Sequence, residues 1–178
     1  SVEEIEEVYS ELKELVDEEQ LYSKDLYEGI AMLSEKAEVA IKALCLNIIH
    51  DCNLKCKYCF ADEGEYKGCR KSMSAQVGKD AIDFVIKNSG KRRNIEVDLF
   101  GGEPLMAFDT IKEIVDYARE QEKIYNKNIR FTMTTNATLL DAEKMDYLDK
   151  NMGNIILSID GRKEVNDKVR IRYDGTGS

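Results

Sequence analysis

Three cysteines fall within eight positions of the chain, in Cys52-Asn53-Leu54-Lys55-Cys56-Lys57-Tyr58-Cys59, a C-x3-C-x2-C spacing. Thiolates are metal ligands, and three of them on one short stretch point to a metal site. A structural zinc ion takes four closed ligands, whereas an iron–sulfur cube held by three cysteines leaves one iron open to something else. The spacing also differs from the C-x2-C-x2-C run of bacterial ferredoxins, whose ligands serve electron carriage. An open cluster is therefore the favoured reading. The alternative is a structural zinc site with His50 or Cys69 as fourth ligand.

A second stretch with chemical content is Gly101-Gly102-Glu103-Pro104. Two glycines remove side chains so that backbone can approach a ligand, Glu103 supplies an acceptor for an ammonium group, and Pro104 stiffens the exit. Such a turn could hold an amino-acid head group; taken alone, it could equally be a plain strand-to-helix turn. Further polar groups stand at Asn136, in Thr135-Asn136-Ala137, and at Ser158 and Asp160, in Ser158-Ile159-Asp160-Gly161. For the last two, a simple turn and cap is the competing reading. Tyr58 and Phe60 could be core aromatics, and Cys45, in mid-strand, reads as a small buried hydrophobe. Cys69 reads as a spare surface thiol and His50 as a hydrogen-bonding loop residue.

The elements that must position these residues alternate from Val39 onward. Ile41 to Ile48 reads as a buried strand with the cysteine loop at its C-terminal end. A helix from Ala75 to Lys87 follows, with Ser74 as N-cap and Gly90 as stop. Ile95, Val97 and Leu99 alternate with Glu96 and Asp98 in a second strand that runs straight into Gly101. Ile111, Ile114, Val115 and Ala118 mark the next helix, and Ile129 to Thr134 the third strand. Ala142 to Lys150 forms a helix behind an Asp141 cap, and Asn154 to Ile159 a fourth strand. Each connection is long enough for a crossover, so the four strands are expected to be parallel. In such α/β arrays functional residues gather at the C-terminal strand ends. Here each strand delivers one set there: the cysteines, the glycine turn, Thr135-Asn136, and Ser158 with Asp160.

Upstream, Ser1-Val2-Glu3-Glu4 has the form of a capping box. Ile5, Val8, Tyr9, Leu12, Leu15 and Val16 then recur at helical spacing, a stripe that needs a docking surface. A second helical pattern runs from about Lys24 to Ser34. The chain opens mid-pattern without an initiator Met, which suggests a piece of a longer protein.

Composition bounds the function. The 178 residues, 43% hydrophobic and 34% charged, suffice for one real core. Lys and Arg number 26 against 35 Asp and Glu, giving a net charge of −9 and a pI of about 4.8. This balance argues against a nucleic-acid surface and for a peptide or small-molecule partner. No apolar run approaches the roughly 18 residues needed to span a bilayer, and no signal-peptide pattern is present. Five cysteines, an odd number with three of them clustered, fit a reducing compartment rather than a disulfide framework, so a cytoplasmic location is expected.

On these residues the chain resembles the radical S-adenosylmethionine (radical SAM) enzymes, whose signature is C-x3-C-x2-C with an aromatic before the last cysteine, a place Tyr58 fills. The resemblance implies a [4Fe-4S] cluster on Cys52, Cys56 and Cys59, with the Gly101 to Pro104 turn on the amino group of S-adenosylmethionine. Asn136, Ser158 and Asp160 would lie near the cofactor. Arg170, in Asn166-Asp167-Lys168-Val169-Arg170, is similar to the arginine of a His-Asp-x-x-Arg stretch and would pair with the methionine carboxylate, although the usual His is Asn166 here.

The wider match, from about Leu26 to Ser178 and including His50 to Ala61, Arg70 to Ser74 and Val97 to Met106, looks like the maturases of SCIFF peptides. Those SPASM-type enzymes form thioether bridges in cysteine-rich ribosomal peptides. The resemblance implies reductive cleavage to a 5′-deoxyadenosyl radical, a cysteine-rich precursor peptide and a reducing electron donor. It implies a partial (β/α) barrel of which this chain carries the first four strands, in residues 37–178. Residues 1–36 would be a helical linker after a precursor-recognition domain. From a different class, a non-catalytic zinc or iron–sulfur domain serving structure or regulation is the alternative function.

Overall fold

The computed structural model describes residues 1–27, Gly29 and 40–178, in two compact units, Ser1–Val39 and Ala40–Ser178. In the first unit, α1 spans Val2–Asp17 and begins with the expected capping box: Ser1 Oγ accepts from the Glu4 amide while the Glu4 carboxylate pairs with the Ser1 backbone amine. None of its residues is buried. The helix expected from Lys24 to Ser34 falls largely outside the described residues; Lys24 to Tyr27, which are described, are not helical.

The second unit is built on a five-stranded sheet in the order β2-β1-β3-β4-β5. Its strands are β1 (Ala43–His50), β2 (Lys71–Ser72), β3 (Asn94–Gly101), β4 (Asn128–Thr135) and β5 (Met152–Leu157). The four long strands are parallel, as their alternation with helices required, with Leu44 opposite Val97 and Val97 opposite Phe131. The fifth, β2, was not anticipated: two residues return antiparallel along the end of β1, pairing His50 with Lys71. Two residues carry too little pattern to read.

Helices α2 (Ala75–Asn88), α3 (Phe108–Tyr125), α4 (Ala142–Asn151) and α5 (Lys163–Val169) complete the unit, with a 3-10 turn over Pro104–Ala107. Ser74 and Asp141 cap α2 and α4 as expected, and Gly90 adopts the left-handed φ of +54° just beyond the Ser89 C-cap. One face of the sheet is dry. Ile95, Val97, Leu99, Ile129, Phe131 and Met133 meet Ile82 and Val85 of α2 and Ile111, Ile114 and Val115 of α3 in a single core. Each such side chain contributes about 1.5–3 kcal/mol by leaving water.

The opposite face is open, carrying Cys45, Asn47, Asp98, Phe100, Thr132 and Thr134. The reading of β1 as a buried strand is corrected here: it alternates, and Cys45 is exposed rather than a core residue, its Sγ lying 3.9 Å from Asp98 Oδ2. Strand β5 forms one edge and stops at Leu157, so Ser158 lies past its end. Ile156 and Leu157 are about half exposed on this edge. No helix among the described residues is long and apolar enough to cross a membrane.

Candidate cluster and cofactor site

The C-terminal ends of β1, β3 and β4, with the segment after β5, converge on one cavity of about 150 Å³. Its wall includes Cys52, Cys56, Cys59 and Tyr58 from the first loop, Gly101 and Gly102 from the second, Asn136 from the third, and Ser158 and Arg170 from the last segment. Nine of the twelve residues singled out from the sequence therefore share one wall. The other three, Glu103, Pro104 and Asp160, support it from behind.

The glycine turn owes its residues to the fold more than to a ligand. A Cβ on Gly102 would lie 1.9 Å from the Asp51 carbonyl oxygen, and one on Gly101, whose φ is +138°, would lie 2.4 Å from the Ile49 carbonyl oxygen. Backbone of the cysteine loop occupies that space. The Gly102 amide donates to Ile49 O at 2.8 Å and the Glu103 amide to Asp51 O at 2.8 Å, which fastens the two loops together. Gly64, at φ +92°, closes the same packing with its Cβ position 3.0 Å from Gly102 Cα.

Glu103, expected as an ammonium acceptor, is bonded within the fold in this structure. Its side chain is 1% exposed and accepts from Thr135 Oγ1 at 2.6 Å, the Asn136 amide at 2.8 Å and the Leu105 amide at 3.0 Å. Burial pushes this carboxyl above its ordinary value, against the pull of those three donors. The carboxylate thus ties the end of β3 to the end of β4. Pro104, buried, opens the 3-10 turn behind it. Among the described residues the Gly102 carbonyl accepts no hydrogen bond.

Asn136 sits in a small network that sequence reasoning missed. Its Nδ2 donates to Asn53 Oδ1 at 2.8 Å and lies 3.8 Å from Cys52 Sγ, while Thr138 Oγ1 links the two asparagines by donating to Asn136 Oδ1 and accepting from Asn53 Nδ2. Asp160 and Arg170 bond to each other, Arg170 Nε donating to Asp160 Oδ2 at 2.9 Å. Tyr58 Oη donates to the same oxygen, and the guanidinium lies 5.5 Å from the Tyr58 ring centre and 3.9 Å from Cys56 Sγ. Asn166, in place of the usual His, accepts from the Asp160 amide and orders that turn. Tyr58 and Phe60 are 52% and 77% exposed, so neither is a core aromatic. Phe60 stacks on Phe100 beside the cavity.

The cysteine loop is held from outside by the last residue of α5 and the segment after it. Lys55 N donates to Ile171 O at 2.7 Å and Lys57 N to Val169 O at 2.9 Å, an irregular pairing with no periodic signal in the sequence.

The donor chemistry fits an iron–sulfur cube better than zinc. Among the described residues no three His, Cys, Asp or Glu side chains close on one ion. Cys69 is exposed, and His50 packs its ring against Tyr66 at 4.8 Å. A cube instead places each thiolate on a different iron, which suits three thiols spread around one wall. Burial pushes the Cys52 thiol up to about 11 and raises that of Cys56, with the Arg170 guanidinium pulling the latter down. Such thiols ionise readily only against a bound cation.

Residues 46–175 match the family model of the radical SAM superfamily. The chain belongs to that superfamily. Its members use a [4Fe-4S] cluster and S-adenosylmethionine, and the sheet is part of the barrel that carries them. This radical SAM chain is 37% identical to an uncharacterized protein of Methanocaldococcus jannaschii over 78% of its own length and 45% of the relative's. It is 26% identical to a cysteine-type anaerobic sulfatase-maturating enzyme of Clostridium novyi, over 72% and 34% of the two chains. A solved structure, native anSMEcpe with bound AdoMet and Cp18Cys peptide, superposes with a TM-score of 0.66 at 25% identity, covering 78% of this chain and 37% of the other. The chain thus spans less than half the length of the curated relatives it matches.

Proposed function

We propose that this radical SAM chain is the cofactor-binding part of a peptide maturase, and that its parent installs thioether cross-links in a cysteine-rich ribosomal peptide. The observation that carries the cofactor assignment is the shared wall: three thiols, the Gly101-Gly102 turn, Asn136, Ser158 and Arg170 on one cavity. Cys52, Cys56 and Cys59 would hold the cluster. Together, cluster and S-adenosylmethionine supply one-electron reductive cleavage of the sulfonium and hydrogen abstraction from substrate.

The protein's residues bind, orient and shield. With Glu103 committed to the fold, the methionine ammonium is assigned to the free Gly102 carbonyl. The carboxylate is assigned to Ser158 and to Arg170, whose guanidinium keeps donors beyond its one bond to Asp160. Tyr58, Phe60 and Phe100 limit water at the cavity mouth. The peptide-bound relative supports a peptide substrate, and the resemblance to SCIFF maturases supports the thioether. Residues 1–36 are proposed as the linker from a precursor-recognition region and 37–178 as the first part of the barrel. A reducing electron donor and a cytoplasmic location accord with five free thiols.

The test has two stages. Anaerobic reconstitution should load four irons per chain, dependent on Cys52, Cys56 and Cys59 and indifferent to Cys45→Ala and Cys69→Ala, and added S-adenosylmethionine should perturb the reduced cluster's paramagnetic resonance. Stoichiometric zinc lost in Cys69→Ala would sink the cluster. For the substrate, mass spectrometry of a cysteine-rich precursor after incubation with the full-length parent should show loss of two hydrogens. Cofactor cleavage with no change in any such peptide would remove the maturase reading and leave the cofactor site standing.

A further inference from the structure

Arg70 lies in a stretch of the wider resemblance but has been given no role in the cluster or cofactor site, and its guanidinium joins three segments that frame the cysteine loop. Nε donates to Glu65 Oε1 at 2.7 Å, Nη1 lies 3.3 Å from Asp51 Oδ1, and Nη2 donates to Tyr173 Oη at 2.9 Å, with the guanidinium carbon 5.2 Å from the Tyr173 ring centre. Each partner has its own hold on the site. Asp51 Oδ1 also accepts the Cys52 amide at 2.9 Å, and Asp51 O accepts the Glu103 amide and abuts Gly102. Glu65 lies in the turn after Cys59, beside Gly64, which packs on Asp51 and on Cys52 Cβ. Tyr173 follows the strand-like stretch that pairs with Lys55 and Lys57. The two-residue strand β2 begins one position after Arg70, and its pairing of Lys71 with His50 sets where the guanidinium falls.

We propose that Arg70 is a positioning residue for the cluster loop, a planar fork that shapes the three-cysteine segment before any iron arrives. Lysine, a single point charge, could satisfy one of the three partners but not all of them in this geometry. The identity of the group to be held rests on the radical SAM reading; the shaping of the loop does not.

The test is made on the full chain without iron, by timing alkylation of each cysteine with iodoacetamide and locating the label by peptide mass spectrometry. Cys45 and Cys69, already exposed, serve as internal references. In Arg70→Ala, Cys52 and Cys56 should react at least about threefold faster relative to those references, with Arg70→Lys in between, a modest figure because the ion pairs are partly solvated. Tyr173→Phe, which keeps the ring and loses the hydroxyl, should give a smaller change of the same sign. Circular dichroism with a cooperative unfolding transition establishes that each variant is folded. Reconstituted Arg70→Ala should also bind less iron, with an altered resonance spectrum. Unchanged ratios in a folded Arg70→Ala, or full restoration by Arg70→Lys, would overturn the proposal. Wild-type chain that takes up no iron would instead overturn the cluster reading and leave the alkylation result to stand by itself.

Discussion

Helices α1 and α3 carry the same sequence signal and meet opposite fates. In α1, Ile5, Val8, Tyr9, Leu12, Leu15 and Val16 make an apolar stripe that is 37–70% exposed, and no residue of the helix is buried. In α3, Ile111, Ile114, Val115 and Ala118 make a comparable stripe, and all four are 0% exposed. The local signals rank the two the other way round. α1 has a complete capping box, whereas Ala107, at the N-cap of α3, makes no side-chain cap bond. A cap supplies about 0.5–2 kcal/mol to a helix end, while burial of one Ile supplies about as much or more. Capping therefore marks where a helix begins, and the partner surface decides how much it stabilises the fold. α1 also bears Glu3, Glu7 and Glu11 at successive four-residue steps, a mildly unfavourable run of like charges that α3 avoids on its covered face.

The largest test of this contrast is Ile114→Ala. Removing a fully enclosed side chain should cost about 2–5 kcal/mol in a urea or guanidinium titration, and a cost near zero would mean that the α3 stripe is no better covered than that of α1. Next comes Gly78→Ala in α2. The new Cβ would lie 2.1 Å from Ile114 Cδ1, so overpacking of about 1–3 kcal/mol should outweigh the gain of about 1 kcal/mol in helix propensity. The sign should reverse when Gly78→Ala is made in the Ile114→Ala background, because the methyl then enters space already opened; additive effects would show that the two positions do not share that space. The smallest effect is expected at Leu12→Ala in α1, within about 0.5 kcal/mol of wild type, as for other exposed positions. A loss of 2 kcal/mol there would reveal a covering surface for the stripe.

A fourth measurement carries the contrast between exposed and buried groups into pH. Glu103 has a raised folded value, so its contribution to stability is full below the ordinary carboxyl range and is lost as pH rises through the raised value. The stability difference between wild type and Glu103→Gln should therefore shrink as pH increases through that window. Gln should be the less stable throughout, since its amide would face the Asn136 or Leu105 N–H, or both. A difference independent of pH would mean that burial leaves the Glu103 carboxyl where it is in the unfolded chain.

Much of the fold could be read before any coordinates. Four strands, four of the five helices, three side-chain caps and the left-handed Gly90 followed from period, cap chemistry and crossover length, because these are local properties. Even the open face of the sheet is written in the alternation of Ile95, Val97 and Leu99 with Glu96 and Asp98, whereas the mostly apolar run of β1 hides its alternation and leaves Cys45 looking like a core residue. The elements that were missed, β2, α5 and the stretch from Val169 to Arg172, are short or irregular. Their pairing is with residues distant in the chain, so no periodicity announces it.

For the site, residue types and spacing alone nominated Cys52, Cys56 and Cys59 and the Gly101 to Pro104 turn, because thiol chemistry and glycine's lack of a side chain are properties of the residues themselves. What those residues face was decided by tertiary structure. Gly102 is glycine because Asp51 backbone fills its Cβ position, Glu103 is spent on Thr135, Asn136 and Leu105, Asp160 pairs with Arg170, and Arg70 gathers Asp51, Glu65 and Tyr173. The physical reason is common to all four. A hydrogen bond or a close approach depends on the separation of two groups in space, and apart from the contacts Glu103–Leu105 and Arg70–Glu65, and Asp160–Arg170 across the short α5, that separation is set by strands and loops brought side by side rather than by distance along the chain.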